Sequence, residues 1–238
     1  MRRIPCGSVP TAVRQAIASG SSFGEISSDV SLRSALHAEQ RGLCAYCEVG
    51  LRRPEPGVPH HTRIEHFHPQ RGGSAFSSIC ASQSGASTSG AAPLAWSNLL
   101  LCCDGHESAR RDFNCDKSKE NTDICTDFRN PKTVPTTRAY LVCVNHQGRA
   151  VAEETMPPNA QRVVDGVLCL NRKHLIAARL RRVSAIEREA RERAGGKTMT
   201  PKQRRDFAQV LLGQAEQAGF EHPMVNVMMA KRFDKACV

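Results

Sequence analysis

The sequence predicts an α+β protein, in which a core of short strands and helices held by a metal is followed by a mainly α-helical C-terminal region. Three observations support this prediction. Five cysteines, at positions 44, 47, 102, 103 and 115, are grouped like metal ligands and begin with a Cys-x-x-Cys pair. Short apolar segments bounded by proline or glycine lie in the same part of the chain. Beyond about residue 171, apolar residues instead recur at helical spacing.

We expect three regions along the chain of 238 residues. Residues 1–29 have a basic start and a Ser/Gly-rich continuation, which predicts an extended N-terminal arm. Residues 30–130 contain the clustered cysteines and form the predicted core. Within it, residues 70–93 are rich in Ser, Gly and Ala without periodicity, which predicts a flexible insertion. Residues 131–238 form the predicted helical region.

The predicted elements of the core alternate with loops. They are a helix over about 31–42, a tight knuckle at 43–48, a short strand over 63–67, an apolar segment at 96–101 and a first helical turn at 115–119. Ser31 is a suitable N-cap for the first helix, and Gly42 is a stop signal. Leu32 and Leu36 fall on one face of that helix, and Pro69 ends the strand.

The C-terminal region is predicted to begin with a β-hairpin, because residues 140–144 and 149–151 flank a His-Gln-Gly turn. Three helices are expected after it. Asn171 is a suitable cap for the first, and Thr200-Pro201 begins the second with an N-cap followed by proline. The third is expected near Pro223. The apolar face of the first helix would include Ile176, Leu180, Val183 and Ile186.

The formal net charge of +10 is concentrated in one stretch. Residues 162–206 carry 13 Lys and Arg against 5 Asp and Glu, a net charge of +8. A basic face of this kind indicates a polyanionic partner, nucleic acid first. A solvated helix face is the alternative, since Glu187–Arg191 and Glu189–Arg193 have the i,i+4 spacing of surface ion pairs. Both interpretations stay open at this point.

A cytoplasmic location with no membrane partner is expected. The chain contains no run of 18 apolar residues, and its basic N-terminus lacks the apolar core of a signal peptide. The odd number of cysteines, eleven, argues against a disulfide framework.

Four cysteines, Cys44, Cys47, Cys103 and Cys115, together supply the ligand set of a structural zinc site. The first pair has the usual knuckle spacing, whereas the second pair is twelve residues apart and requires a looped insertion. A redox role for the first pair and an iron–sulfur cluster are the alternatives. The redox role is disfavoured because no thioredoxin-like βαβ pattern surrounds the pair.

The third zinc ligand is the least certain of the four from sequence. Cys102 or His106 could replace Cys103. Asp104-Gly105 directly after Cys103 allows the sharp turn that a knuckle needs, which favours Cys103.

A zinc bound by four cysteines has no open position, so catalysis would need other groups. In the pair Glu65-His66, the imidazole could take a proton from water while the carboxylate holds Mg²⁺. Asp116 is the candidate for a second oxygen ligand. Lys119, within the same predicted helical turn, could reach a phosphate oxygen. The ordinary alternative is a solvated turn, and His68 is the competing base or a spare ligand.

The order of these motifs resembles the HNH endonucleases, which have a ββα-metal core. The closest resemblance is to the HNH nuclease subunit of Septu-type anti-phage systems, a group with relatives beside retrons. It rests on the segments EQRGLCAYCE, IEHFHP, WSNLLLCCDG, CDKSKEN and VLCLNRKHLIAARLRR, and on the basic start MRRIP. It runs unevenly from about residue 1 to 185.

The resemblance implies a role for each matching residue. His66 would be the general base, Glu65 and Asp116 would bind the catalytic metal, Asn98 would hold the loop that orients His66, and Cys44, Cys47, Cys103 and Cys115 would bind structural zinc. It also implies a partner, an ABC-type ATPase subunit. The target would be DNA, with RNA such as tRNA as the alternative.

Two departures from the family pattern stand out. Asp116 occupies the third motif position, where many relatives outside this group have His or Asn, and the 70–93 insertion is long and rich in Ser and Gly. A zinc-stabilised module that binds nucleic acid or a protein without chemistry is the competing hypothesis. Only the set of Glu65, His66 and Asp116 separates it from an enzyme.

Overall fold

The computed structural model describes residues 1–71, 75–106, 112–137 and 140–234, which form a mixed fold of helices and two small antiparallel sheets. The coarse prediction of an α+β protein is therefore confirmed. The helices are α1 (Thr11–Ser19), α2 (Phe23–Ile26), α3 (Val30–Glu39), α4 (Ser78–Ser84), α5 (Cys115–Lys119), α6 (Ala160–Arg162), α7 (Lys173–Arg193), α8 (Pro201–Ala215) and α9 (Pro223–Phe233). The strands are β1 (Thr62–His66), β2 (Leu99–Cys103), β3 (Val142–Val144) and β4 (Ala150–Ala152).

The central hairpin pairs β1 with β2, from Thr62 opposite Cys103 to His66 opposite Leu99. Strand β2 is apolar throughout because both of its faces are covered. Leu99 and Leu101 pack with α1 and α3, whereas Leu100 and Cys102 face the main core around the knuckle. Helix α5 packs beside β2. The hairpin and α5 thus bring residues from positions 62–66 and 115–119 together.

Residues 1–29 do not form the extended arm predicted from their composition. Helices α1 and α2 form within this segment, and Val13 is fully buried against Leu32 and Leu36. Val13 and Ala16 have helical spacing, but the prediction was based on the Ser/Gly-rich composition of the segment. Burial of this apolar face on β2 and α3 supplies the stabilisation that local composition does not.

The 70–93 segment is also more ordered than predicted. Residues 72–74 lie outside the described part, but α4 forms over Ser78–Ser84. The Ser77 hydroxyl accepts a hydrogen bond from Cys80 N at 3.2 Å, and Gly85 ends the helix at a φ of 70°. Serine and glycine therefore act here as helix caps. Composition alone does not distinguish this role from that of flexible-loop residues.

The C-terminal helices pack on one another and on β3, around Phe207, Leu211 and Met224. The predicted capping of α8 by Thr200 is confirmed, with Gln203 completing a reciprocal cap. The predicted cap of α7 is wrong, because Asn171 instead bonds both backbone groups of Ala150 at 2.7 and 2.9 Å. Across the described ranges, none of the helices has the length and apolar character needed to cross a bilayer.

The basic helix α7 is partly neutralised. Arg193 pairs with Glu189 at 2.9 Å as its spacing predicts, whereas Glu187 pairs with Arg232 of α9 instead of Arg191. Arg179 is buried and donates to Leu170 O at 2.9 Å. Part of the charge therefore serves the fold, and Arg181, Arg188 and Arg191 are exposed.

Candidate active site and metal centre

The four predicted zinc ligands meet where three elements join. Cys44 and Cys47 lie in the knuckle after α3, Cys103 ends β2, and Cys115 begins α5. The knuckle folds back on itself through a hydrogen bond from Cys44 N to Val49 O at 2.9 Å. Cys115 has a φ of 55°, an uncommon backbone conformation outside glycine that marks a constrained position.

The spacing of the four sulfurs fits one tetrahedral metal ion. Their Sγ atoms lie within 4.8 Å of one another, and both Cys44–Cys115 and Cys47–Cys103 are 3.8 Å apart. Zinc–sulfur bonds of about 2.3 Å in tetrahedral geometry place sulfurs about 3.8 Å apart. Burial raises the pKa of Cys115 well above its ordinary value. Four thiolates in this buried position therefore need a cation among them.

The structure favours Cys103 over both alternatives. The Cys102 thiol lies beside Cys44 but outside the group of four. His106 lies against His174, with ring centroids 4.0 Å apart, and belongs to a separate group that includes Asp112. Asn114, which the sequence prediction overlooked, donates its side-chain amide to Cys115 Sγ at 3.0 Å. Such a donor stabilises thiolate charge at a metal centre.

A cleft of about 450 Å³ opens beside this cluster, between β1 and α5. Glu65, His66 and Asp116 line it together, and Arg63 and Arg71 lie on the same wall. Residues that are 50 positions apart in sequence are thus neighbours. The predicted catalytic and metal-binding residues are therefore in one place.

Glu65 is buried beneath the cleft and hydrogen-bonded. Its Oε1 accepts from the Tyr46 hydroxyl at 3.0 Å and lies 2.8 Å from Lys119 Nζ. Burial raises the pKa of Glu65 to about 8, the Asp116 carboxylate adds to the shift, and Lys119 opposes it. Two carboxyl groups this close repel when both are ionised, and a divalent cation relieves that repulsion.

His66 is held as a neutral imidazole. Burial lowers its pKa to about 4, partly countered by the backbone carbonyl of Pro93. Its Nε2 is 3.1 Å from Pro93 O, which assigns the ring proton to Nε2 and leaves a lone pair on Nδ1. The Gln70 amide nitrogen is 2.9 Å from that Nδ1, and Phe23 packs edge-on against the ring.

Asn98 fixes the turn that follows His66. The fully buried side chain accepts from His68 N at 2.8 Å and donates to His68 O and Ala92 O at 3.0 Å each. The backbone carbonyl of Asn98 accepts a hydrogen bond from Phe67 N at 2.9 Å. Both strands of the hairpin are therefore tied at the end where His66 lies.

Lys119 does not occupy the position expected of a phosphate ligand. Its side chain is fully buried, and its ammonium also donates to His66 O at 3.1 Å. The predicted helical turn is correct, but it directs this residue into the core and not to the surface. Lys119 instead neutralises Glu65 and supports the His66 backbone.

Three further residues in or beneath the cleft were missed from sequence. Arg63 pairs with Asp116, Tyr46 binds Glu65, and Gln70 contacts His66. Only Arg63 carried a signal, because residues two apart on a strand share a face and Arg63 stands two before Glu65.

Comparison with models of known protein families and with curated protein sequences finds no match.

Proposed function

We propose that this protein is a metal-dependent HNH endonuclease that hydrolyses phosphodiester bonds, with DNA as the first candidate substrate. The convergence of Glu65, His66 and Asp116 in one cleft is the observation that carries the proposal. A buried acid and a neutral histidine, both with perturbed pKa values, lie beside a second acid, a set that structural packing does not require.

The surrounding elements support a ββα-metal core. Strands β1 and β2 supply Glu65, His66 and Cys103, and the short helix α5 supplies Cys115 and Asp116. A zinc bound by the four cysteines would fix α5 against the hairpin. In a core this small, the metal would replace the apolar packing that five-residue elements cannot provide.

His66 is suited to act as the general base. Its proton on Nε2 is held by Pro93 O, so Nδ1 can accept a proton from an attacking water molecule. The low pKa keeps that lone pair available at neutral pH. Gln70 would give way to the water, and the leaving oxygen would take its proton from solvent.

Glu65 and Asp116 would hold a hard divalent cation such as Mg²⁺, for which carboxylate oxygens are the preferred ligands. When bound, the cation offsets the charge that develops on the phosphodiester and on the leaving oxygen. Arg63 on the cleft wall already pairs with Asp116 and is half exposed. We assign the phosphate contact to Arg63 and Arg71 in place of Lys119.

The biological setting follows from the sequence resemblance alone. An anti-phage complex with an ABC-type ATPase is proposed on that ground, whereas the cytoplasmic location stays the expectation drawn from the apolar pattern of the sequence. RNA such as tRNA is the alternative substrate.

A non-catalytic binding module is the second candidate, and one observation favours it. Each ring nitrogen of His66 has a hydrogen-bond partner, and the Glu65 carboxyl is engaged by Tyr46 and Lys119. A protein of this kind would bind nucleic acid through its basic surface with no change on mutation of His66.

Cleavage assays separate the two candidates. Plasmid DNA and total RNA are incubated with the protein, alone and with its ATPase partner, in Mg²⁺ or in chelator. We expect Mg²⁺-dependent cleavage that His66→Ala reduces at least 100-fold, in line with the usual contribution of a general base of about 10²–10⁴. His61→Ala is the matched control, because His61 lies exposed in the preceding loop and should leave cleavage unchanged. Equal cleavage by wild type and His66→Ala would refute the proposal.

A further inference from the structure

A second group of potential metal ligands lies outside the four-cysteine cluster. It consists of His68, Cys80, Asp123 and Cys125, whose ligand atoms all lie within 4.8 Å of one another. His68 follows β1, Cys80 lies in α4, and the last two residues are in the loop after α5. The histidine and both cysteines are buried, and the Asp123 side chain is nine-tenths buried.

The His68–Asp123 distance in this group fits a shared ion better than a direct hydrogen bond, and the two sulfur distances suit either arrangement. His68 Nδ1 is 3.6 Å from Asp123 Oδ2 and 3.6 Å from Cys125 Sγ, and Cys80 Sγ is 3.7 Å from Asp123 Oδ2. Nitrogen–oxygen hydrogen bonds are about 2.7–3.2 Å long. Tetrahedral zinc bonds of about 2.0–2.3 Å would separate such ligand atoms by about 3.3–3.8 Å.

The backbone and neighbouring side chains orient the ligand atoms toward one point. Asp123 Oδ1 accepts from Cys125 N at 2.9 Å, which leaves Oδ2 to face the histidine and Cys80. The Ser77 hydroxyl donates to Cys80 Sγ at 3.3 Å. The ring of His68 packs edge-on against Phe76, with centroids 5.0 Å apart. Donors to ligand atoms and a packed imidazole are typical supports of a metal centre.

We propose that His68, Cys80, Asp123 and Cys125 bind a second zinc ion. Two thiolates, an imidazole and a carboxylate suit zinc, which accepts sulfur, nitrogen and oxygen ligands in one tetrahedral site. All four positions are filled by protein, so the ion is structural.

The site would connect the Ser/Gly-rich 70–93 segment to the turn that follows His66. His68 is bonded through its backbone to Asn98, and Cys80 lies in α4. Binding of the ion would therefore hold α4 against the end of the hairpin that carries His66. This explains how a segment of low apolar content can be ordered. The proposal is independent of whether the cleft cleaves nucleic acid.

Zinc content per chain tests the proposal. The protein is purified without chelator and dialysed with excess Mg²⁺, so that the cleft does not retain zinc. We expect about two zinc ions per chain in wild type and about one in Cys80→Ser/Cys125→Ser. The control variant Cys6→Ser/Cys143→Ser changes two cysteines outside both groups and should keep about two.

X-ray absorption at the zinc edge on wild type makes the test independent of variant folding. One four-cysteine site and one His-Cys-Asp-Cys site average about three sulfur and one nitrogen or oxygen ligand per zinc. About four sulfurs with one zinc per chain would overturn the proposal, as would two sulfurs per zinc, which points to zinc in the cleft. A disulfide between Cys80 and Cys125, found by mass spectrometry of the unreduced protein, would overturn it as well.

Discussion

Asn98 shows how one buried polar side chain can position, without touching it, the histidine that we propose as the general base. Its amide satisfies three backbone groups of the segments on either side of the hairpin end. The sequence resemblance predicts that Asn98 holds the loop that orients His66, and this role stays a prediction. The phosphate role expected of Lys119 rested on helical spacing, which does not tell which face of a short helix will be buried.

Asn98→Ala should lower both stability and cleavage. The substitution leaves one donor and two acceptors without partners in the interior, which should cost about 2 kcal/mol or more in the free energy of unfolding. Chemical denaturation measures this loss. Asn98→Asp keeps the acceptor for His68 N but places a carboxylate against two carbonyl oxygens, so it should be no better tolerated. Cleavage at wild-type rate in either folded variant would contradict the positioning role.

Metal binding in the cleft should depend on pH through Glu65. Its pKa is raised to about 8, so the carboxyl must lose a proton before it binds the cation, and Mg²⁺ affinity should rise with pH by up to about tenfold per unit until about pH 8. His66, with a pKa of about 4, stays neutral over this range and adds nothing to the pH dependence of the Mg²⁺ affinity. Isothermal titration calorimetry measures the affinity. A Glu65→Gln variant should bind weakly and without this pH dependence, and a flat wild-type profile would contradict the assignment.

At the scale of elements, strands and helices were predictable where local signals and tertiary contacts agree. The strand at 62–66 ends before Pro69, and α8 begins at its Thr-Pro cap. The prediction failed for α1 and α4, where a few apolar residues are buried by distant parts of the chain. Composition describes a segment alone, whereas Val13 and Cys80 are ordered by what packs on them.

The four-cysteine cluster should be required for the fold of the core. Cys47→Ser removes one thiolate from a site whose binding energy is also folding energy, so this variant should lose zinc from the cluster and unfold at a lower temperature. Zinc analysis and thermal unfolding measure the two effects. Cys6→Ser is the control, because Cys6 is exposed and outside both metal-ligand groups. Unchanged zinc content and stability in Cys47→Ser would refute the structural role and leave the redox hypothesis.

At the scale of the whole molecule, the cysteine-bearing core and the basic helices were predicted from different features of the sequence. The four-cysteine cluster could be derived from cysteine spacing. The His68 group could not, because its four ligands come from three segments with no shared motif. The excess of positive charge was visible from composition, but the ion pairs of Arg193 and Arg232 became apparent only from packing.

The exposed arginines of α7 should contribute to nucleic-acid binding. Arg181→Gln/Arg188→Gln removes two exposed charges without disturbing the buried Arg179. Each phosphate contact contributes about 0.9 to the slope of log affinity against log salt, so the variant should lose about two units of slope. Binding titrations on duplex DNA over a range of salt measure it. An unchanged slope would identify this surface as a solvated helix face.

The most direct measurement is the location of a bound divalent cation, since it requires neither the substrate nor the partner. Crystals are soaked in Mn²⁺ as a substitute for Mg²⁺, and anomalous scattering locates the ion. We expect a peak in the cleft within coordination distance of Glu65 and Asp116 and beside His66, and none there in Asp116→Asn. No peak in the cleft of the wild-type protein at saturating Mn²⁺ would contradict a metal-dependent nuclease at this site.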